Sequence, residues 1–156
     1  MVFQCIQCGG TEPFGTSRPK LCYICGRYAG MVKPMFQRSK TKKPPKVTFT
    51  LEQFHEWYRG RELVCHYCGI PQHLVESLGL INAFFKNPIR RLGIDRRNND
   101  RNYNLNNMDL CCNGCNMVKG YRYTEKEMAT IAPAIASIWR ARLLAMGIDD
   151  PWVTGG

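Results

Sequence analysis

The sequence predicts a small α+β protein braced by bound zinc. Two observations carry that: cysteines arranged in Cys-x-x-Cys pairs, and apolar positions that alternate between helical and strand spacing over a short chain. At 156 residues, with 44% hydrophobic residues, the chain can bury one modest core or two small modules joined by a linker.

Eight of the nine cysteines form four pairs: Cys5/Cys8, Cys22/Cys25, Cys65/Cys68 and Cys112/Cys115. Two residues between thiolates let both reach one tetrahedral ion, so four pairs supply two zinc sites. Gly9, Gly26 and Gly69 follow three of the pairs, where a zinc knuckle needs a tight turn. The competing uses are disulfides and redox chemistry. The opening residues Met1-Val2-Phe3-Gln4-Cys5 lack a basic segment followed by an apolar run, so a reducing intracellular compartment is expected, with a virus-encoded or organellar protein as variants. Cys111 is left over and is expected as a buried thiol. No stretch approaches the roughly 20 apolar residues of a membrane helix. A net charge of +10 points to an anionic partner.

Residues 1–33 hold the first two pairs, thirteen residues apart, which is the layout of a zinc ribbon. Residues 34–48 read as a basic, proline-rich linker, extended and mobile when free, with Arg38, Lys40, Lys42, Lys43 and Lys46 able to lie along phosphates. A domain over 49–147 follows. Thr50 and Gln53 form a capping box for a helix that buries Leu51, Phe54, Trp57 and Tyr58 and stops at Gly60, with His55 at its surface or partly packed. After the Cys65 knuckle, Pro71 starts a short helix through about Leu80, with Leu74, Val75 and Leu78 inward.

Residues 92–112 read as a β-hairpin. Leu92 and Ile94 alternate with Asp95, the segment RRNNDRNYN makes a polar connection, and Leu105, Met108 and Leu110 line the return. A helix from about Asn113 to Gly120 follows. Thr124 and Glu127 then open a longer helix whose stripe is Met128, Ile131, Ile135, Ile138, Trp139 and Leu143. Pro133 is expected to kink or divide that helix, and Gly147 to stop it. Residues 148–156 read as a tail.

The segments C65-H-Y-C68-G-I-P, G93-I-D95-R96-R-N-N-D and Y103-N-L-N-N107-M-D-L-C-C112-N-G-C115-N116-M-V-K119-G together resemble the zinc-containing HNH endonuclease family. They are similar to its phage and bacterial variants with Asp-Arg in place of Asp-His. The resemblance implies an HNH-type ββα-metal (treble-clef) core, with an extra N-terminal zinc ribbon and C-terminal helices. The spacing puts one zinc on Cys5, Cys8, Cys22 and Cys25 and another on Cys65, Cys68, Cys112 and Cys115, and the resemblance has the second brace the fold. It also implies a divalent ion on Asp95 and Asn116, whose hard oxygens suit Mg2+ or Mn2+, and gives Asn107 the task of holding the hairpin. Lys119, three residues beyond Asn116, would add positive charge on the same helix face. Asp95 and Asn116 could instead serve plain turn and cap roles, the less favoured reading.

Arg96 stands where the usual pattern has the His that activates water. A guanidinium stays protonated and cannot act as a general base, although it can clamp a phosphate. The histidines His55, His66 and His73 lie outside the motif, and His66 is expected to be structural or at the surface. Tyr103, Asp100 and a metal-bound hydroxide are stand-ins that spacing does not separate. The resulting expectation is an HNH-type endonuclease cutting phosphodiester bonds, with DNA favoured over RNA. Arg90, Arg91, Arg96 and Arg97 beside the hairpin would join the linker in gripping phosphates. The alternatives are a catalytically degenerate HNH-fold protein within a ribonucleoprotein or viral assembly, and a zinc-ribbon adaptor in a transcription or protein complex.

Overall fold

The computed structural model describes residues 45–78, 80–81, 88–89 and 91–155, with Gln4, Thr11 and Gly26 as single positions. The first zinc set (Cys5, Cys8, Cys22, Cys25), the linker residues Arg38, Lys40, Lys42 and Lys43, and Arg90 lie outside the described residues. The chain divides into two compact units. The described part of the first is 45–61 with Asn102–Asn106, and the second is Glu62–Arg101 with Asn107–Gly156.

In the first unit, helix α1 spans Leu51–Arg59. Its capping box forms as the sequence predicts: Gln53 N donates to Thr50 Oγ1 at 3.2 Å, and Thr50 N donates to Gln53 Oε1 at 2.9 Å. Phe49, just before the cap, stacks on Phe54 with ring centroids 6.1 Å apart, an aromatic staple that fixes how the chain enters the helix. Phe54 is fully buried and also meets Trp57 and Tyr58. His55 is more deeply buried than expected, and desolvation holds its imidazole below the ordinary range. The end of the linker is held by backbone pairing. Tyr103 N donates to Lys46 O at 2.9 Å and Thr48 N to Tyr103 O at 3.0 Å.

The second unit begins at the cysteine knuckle. Gly69 takes φ 73° there, a conformation that L side chains resist, and its N–H donates to Cys65 O at 2.9 Å. Helix α2 is Gln72–Leu78 and stops short of the expected Leu80. Leu80–Ile81 instead forms strand β1, paired antiparallel with β2, Pro88–Ile89, a hairpin that the sequence reading did not contain.

Strands β3 (Gly93–Arg96) and β4 (Met108–Cys111) form the expected hairpin, with Asp95 opposite Asp109 and Arg96 opposite Met108. Its predicted alternation fails. Ile94 is half-buried, whereas Asp95 and Arg96 are both buried, because polar partners enclose the hairpin near its connection.

Helix α3 is Asn113–Lys119 and α4 is Glu125–Ala145. Helix α4 opens on the Thr124–Glu127 capping box and runs as one helix through Pro133, so of the expected kink or division the division does not occur. Proline's missing N–H deprives the Ala129 carbonyl of its donor. Ala129, Pro133 and Ala134 are exposed, so water can serve that carbonyl. The buried stripe is Met128, Ala132, Ile135, Ala136, Trp139 and Leu143, while Ile138 faces solvent. Gly147, at φ 74°, lies just past the helix end as expected. The expected tail holds a further helix, α5, Pro151–Thr154, capped by Asp150. It packs on α4, with Val153 buried and a 2.8 Å bond from Arg140 Nε to Trp152 O.

Candidate functional site

Helix α3 is seven residues long, too short to hold its place by propensity, and it is fixed at both ends by side chains. At its start, Cys112 is the N-cap and its sulfur accepts from Cys115 N at 3.4 Å. Cys65, Cys68, Cys112 and Cys115 are all buried, and their Sγ atoms lie within 4.8 Å of one another. Cys68 Sγ and Cys112 Sγ are 3.7 Å apart. A disulfide would need about 2.05 Å. Zn–S bonds of about 2.3 Å in a tetrahedron put neighbouring sulfurs roughly 3.8 Å apart. The donor set therefore fits a structural metal such as zinc.

The crowded thiols shift one another's titration in opposite directions. Hydrogen bonds from Cys111 and the other thiols draw Cys65 below the ordinary thiol range, and one from Cys115 lowers Cys112. Contact with Cys112 pushes Cys68 and Cys115 up. Cys111 is the expected buried thiol, raised by desolvation and donating to Cys112 O at 3.3 Å.

At the other end of α3, Lys119 is completely buried. Its Nζ lies 3.0 Å from Asp95 Oδ2 and donates to Arg96 O at 2.7 Å and to Asn99 Oδ1 at 3.2 Å. Lys119 was expected to add charge at a phosphate. The structure instead spends its ammonium on the hairpin, where no solvent reaches it. Tyr67 OH donates to the same Asp95 Oδ2 at 2.7 Å. Burial, and then that hydrogen bond, push the Tyr67 phenol well above its ordinary range, so it remains a donor.

Arg96 is likewise used internally. Its Nη1 donates to Asn99 O at 2.8 Å and Arg101 O at 3.0 Å, and its Nη2 to Tyr121 OH at 3.4 Å. The guanidinium organises the connection between β3 and β4. Asn107 holds the hairpin, accepting from Asn98 N and donating to Asn98 O, both at 2.9 Å. Asn116 sits half-buried in α3, and among the described residues its side-chain amide makes no hydrogen bond.

Of the basic positions, Lys46 is exposed and Arg91 half-buried, while Arg97 Nε donates to Glu125 Oε1 at 2.7 Å. His66 is structural, with Nε2 2.7 Å from Glu125 Oε1 and Nδ1 3.3 Å from Asp109 Oδ2. Burial pushes the Glu125 carboxyl up, but hydrogen bonds from Arg97 and His66 outweigh it and hold it below the usual carboxylate range. His73 pairs with Asp150 at 2.9 Å. Sequence reasoning missed Tyr67 and Asn99. Tyr67 carried a signal in its place between two cysteine ligands, whereas Asn99 looked like any loop asparagine.

No protein-family model matches the chain, and no curated protein does. Among solved structures, the chain is similar to the rare-cutting HNH restriction endonuclease PacI, described as showing an extraordinary mechanism of DNA perturbation. The two share 28% identity and superpose with a TM-score of 0.70 over 89% of this chain and 96% of that one. In motif and in three dimensions alike, the chain is a small α+β protein of the HNH endonuclease fold.

Proposed function

We propose that the chain is a metal-dependent endonuclease of HNH type that hydrolyses phosphodiester bonds in DNA. The single observation that carries this is Asp95, a buried carboxylate held on a braced hairpin by Tyr67 and Lys119 through Oδ2 alone. Its Oδ1 has no partner among the described residues, and the Asn116 amide is likewise uncommitted, so both offer hard oxygens to Mg2+ or Mn2+. Such an ion, when bound, supplies positive charge where a phosphate and its leaving oxygen gather negative charge.

The chain's own residues provide position. Lys119 and Tyr67 fix one carboxylate oxygen and so aim the other, while Arg96 and Asn107 stiffen the connection beyond it. Arg91, Arg97, Lys46 and the linker cations would neutralise phosphates. The N-terminal cysteines Cys5, Cys8, Cys22 and Cys25 would hold a second zinc. The likeness to a restriction endonuclease favours DNA as substrate. Neither side chain bound to Asp95 is placed as a base: Lys119 Nζ is fully buried among its partners, and Tyr67 is held protonated.

The test is nicking of supercoiled plasmid with Mg2+ or Mn2+, beside Asp95→Asn and Asn116→Ala, with zinc content measured on each protein. Wild type should nick, and both variants should keep zinc and lose activity. Intact plasmid with wild type at every metal ion overturns the proposal. A second reading, a nucleic-acid-binding scaffold without catalysis, is favoured by the commitment of Arg96 to the hairpin, and tight binding without nicking would support it.

A further inference from the structure

Beyond the Asp95 site, the second unit has a cavity of about 330 Å³ between the β3–β4 connection and the segment joining α3 to α4. That volume is at the small end of the roughly 300–1,000 Å³ range of ligand sites, enough for one nucleotide. Its walls suit that ligand. Tyr121 is 82% exposed and Tyr123 is 40% exposed, although aromatic rings normally seek cover. The Tyr121 hydroxyl is tied back by Arg96 Nη2, whose guanidinium carbon is 6.0 Å from the ring centroid, so the ring is anchored while most of its surface stays open. Arg122 and Lys126 line the same cavity, are exposed, and have no ion-pair partner among the described residues. Asn99 lines it too and is firmly held, because its amide donates to Gly120 O at 2.7 Å and its oxygen accepts from Lys119.

We infer that this segment is a stacking platform for one unpaired nucleobase of a nucleic-acid strand, with Tyr121 against the base and Arg122 and Lys126 on the flanking phosphates. An anchored aromatic beside unpaired cations is what sequence-tolerant strand binding uses, because every base has a π-face. The inference rests on the nucleic-acid half of the proposed function and not on cleavage.

Fluorescence anisotropy with a labelled, mixed-sequence single-stranded 20-mer, without added Mg2+, tests it on the full chain. Tyr121→Ala should weaken binding about 5- to 100-fold, while Tyr121→Phe keeps most of it. Arg122→Ala should reduce the dependence of affinity on salt by about one phosphate contact. Wild-type affinity in Tyr121→Ala overturns the inference, as does equal weakening by Ala and Phe. So does a loss of self-association in Tyr121→Ala seen by sedimentation, which would make the patch a contact between copies. Plasmid nicking is read separately. Absence of nicking with an intact Tyr121 effect removes the nuclease reading alone.

Discussion

The two ends of helix α3 solve one problem with opposite chemistries. At its N-terminal end, Cys112 and Cys115 join Cys65 and Cys68 in a buried set of soft sulfur donors that one ion can close. At its C-terminal end, Lys119 inserts an ammonium among Asp95, Arg96 O and Asn99. The first end is a donor set that would draw its strength from an ion outside the chain. The second is self-contained and holds only while every partner stays in place, because a buried charge left unpaired is costly. Between them they fix the hairpin that presents Asp95, so the site is positioned by two independent clamps.

The largest way to break that comparison is to remove the metal. Structural zinc in small domains is worth on the order of 10 kcal/mol, so Cys65→Ser or a strong chelator should abolish cooperative unfolding of the second unit, followed by circular dichroism. A melting transition unchanged by chelator would show that the polar end suffices. The polar end is broken by Lys119→Met, which keeps the volume but strands Asp95, and a loss of about 3–5 kcal/mol in denaturant midpoint analysis is expected with zinc content retained. Adding Asp95→Asn should recover part of that loss, since the carboxylate charge is then gone.

Between the two ends, Gly114 lies against Trp139, where an added Cβ would come within 2.3 Å of Cζ2. Gly114→Ala should therefore cost about 1–3 kcal/mol through overpacking of α3 on α4, although alanine favours helix. The smallest effect is expected at the α4 cap, outside both clamps. Thr124→Ala removes the bond from Glu127 N to Thr124 Oγ1 and should cost about 1 kcal/mol, visible as a modest fall in melting temperature.

The two ends also differ in how far they could be read beforehand. Cys-x-x-Cys spacing is a local pattern with few competing meanings, so the second zinc set is legible residue by residue, as are the caps at Thr50 and Thr124. Lys119 reads as a surface cation because lysine usually is one. Only the folded hairpin, bringing Asp95 and Asn99 to it across twenty or more positions, turns it into a core residue. The internal bonds of Arg96 are hidden from the sequence for the same reason. The run through Pro133 and the order in residues 151–154 depend on what α4 packs against, which a window of sequence does not contain.

By itself, the sequence determined the Cys65–Cys115 metal-ligand set, the caps and the hairpin that bears Asp95, because these follow from residue type at short spacing. Tertiary structure alone decided which charges are buried, that Tyr67 and Lys119 share one oxygen of Asp95, and that Tyr121 stands open beside a cavity. Burial and ion pairing depend on groups distant along the chain, and those distances exist only once it has folded.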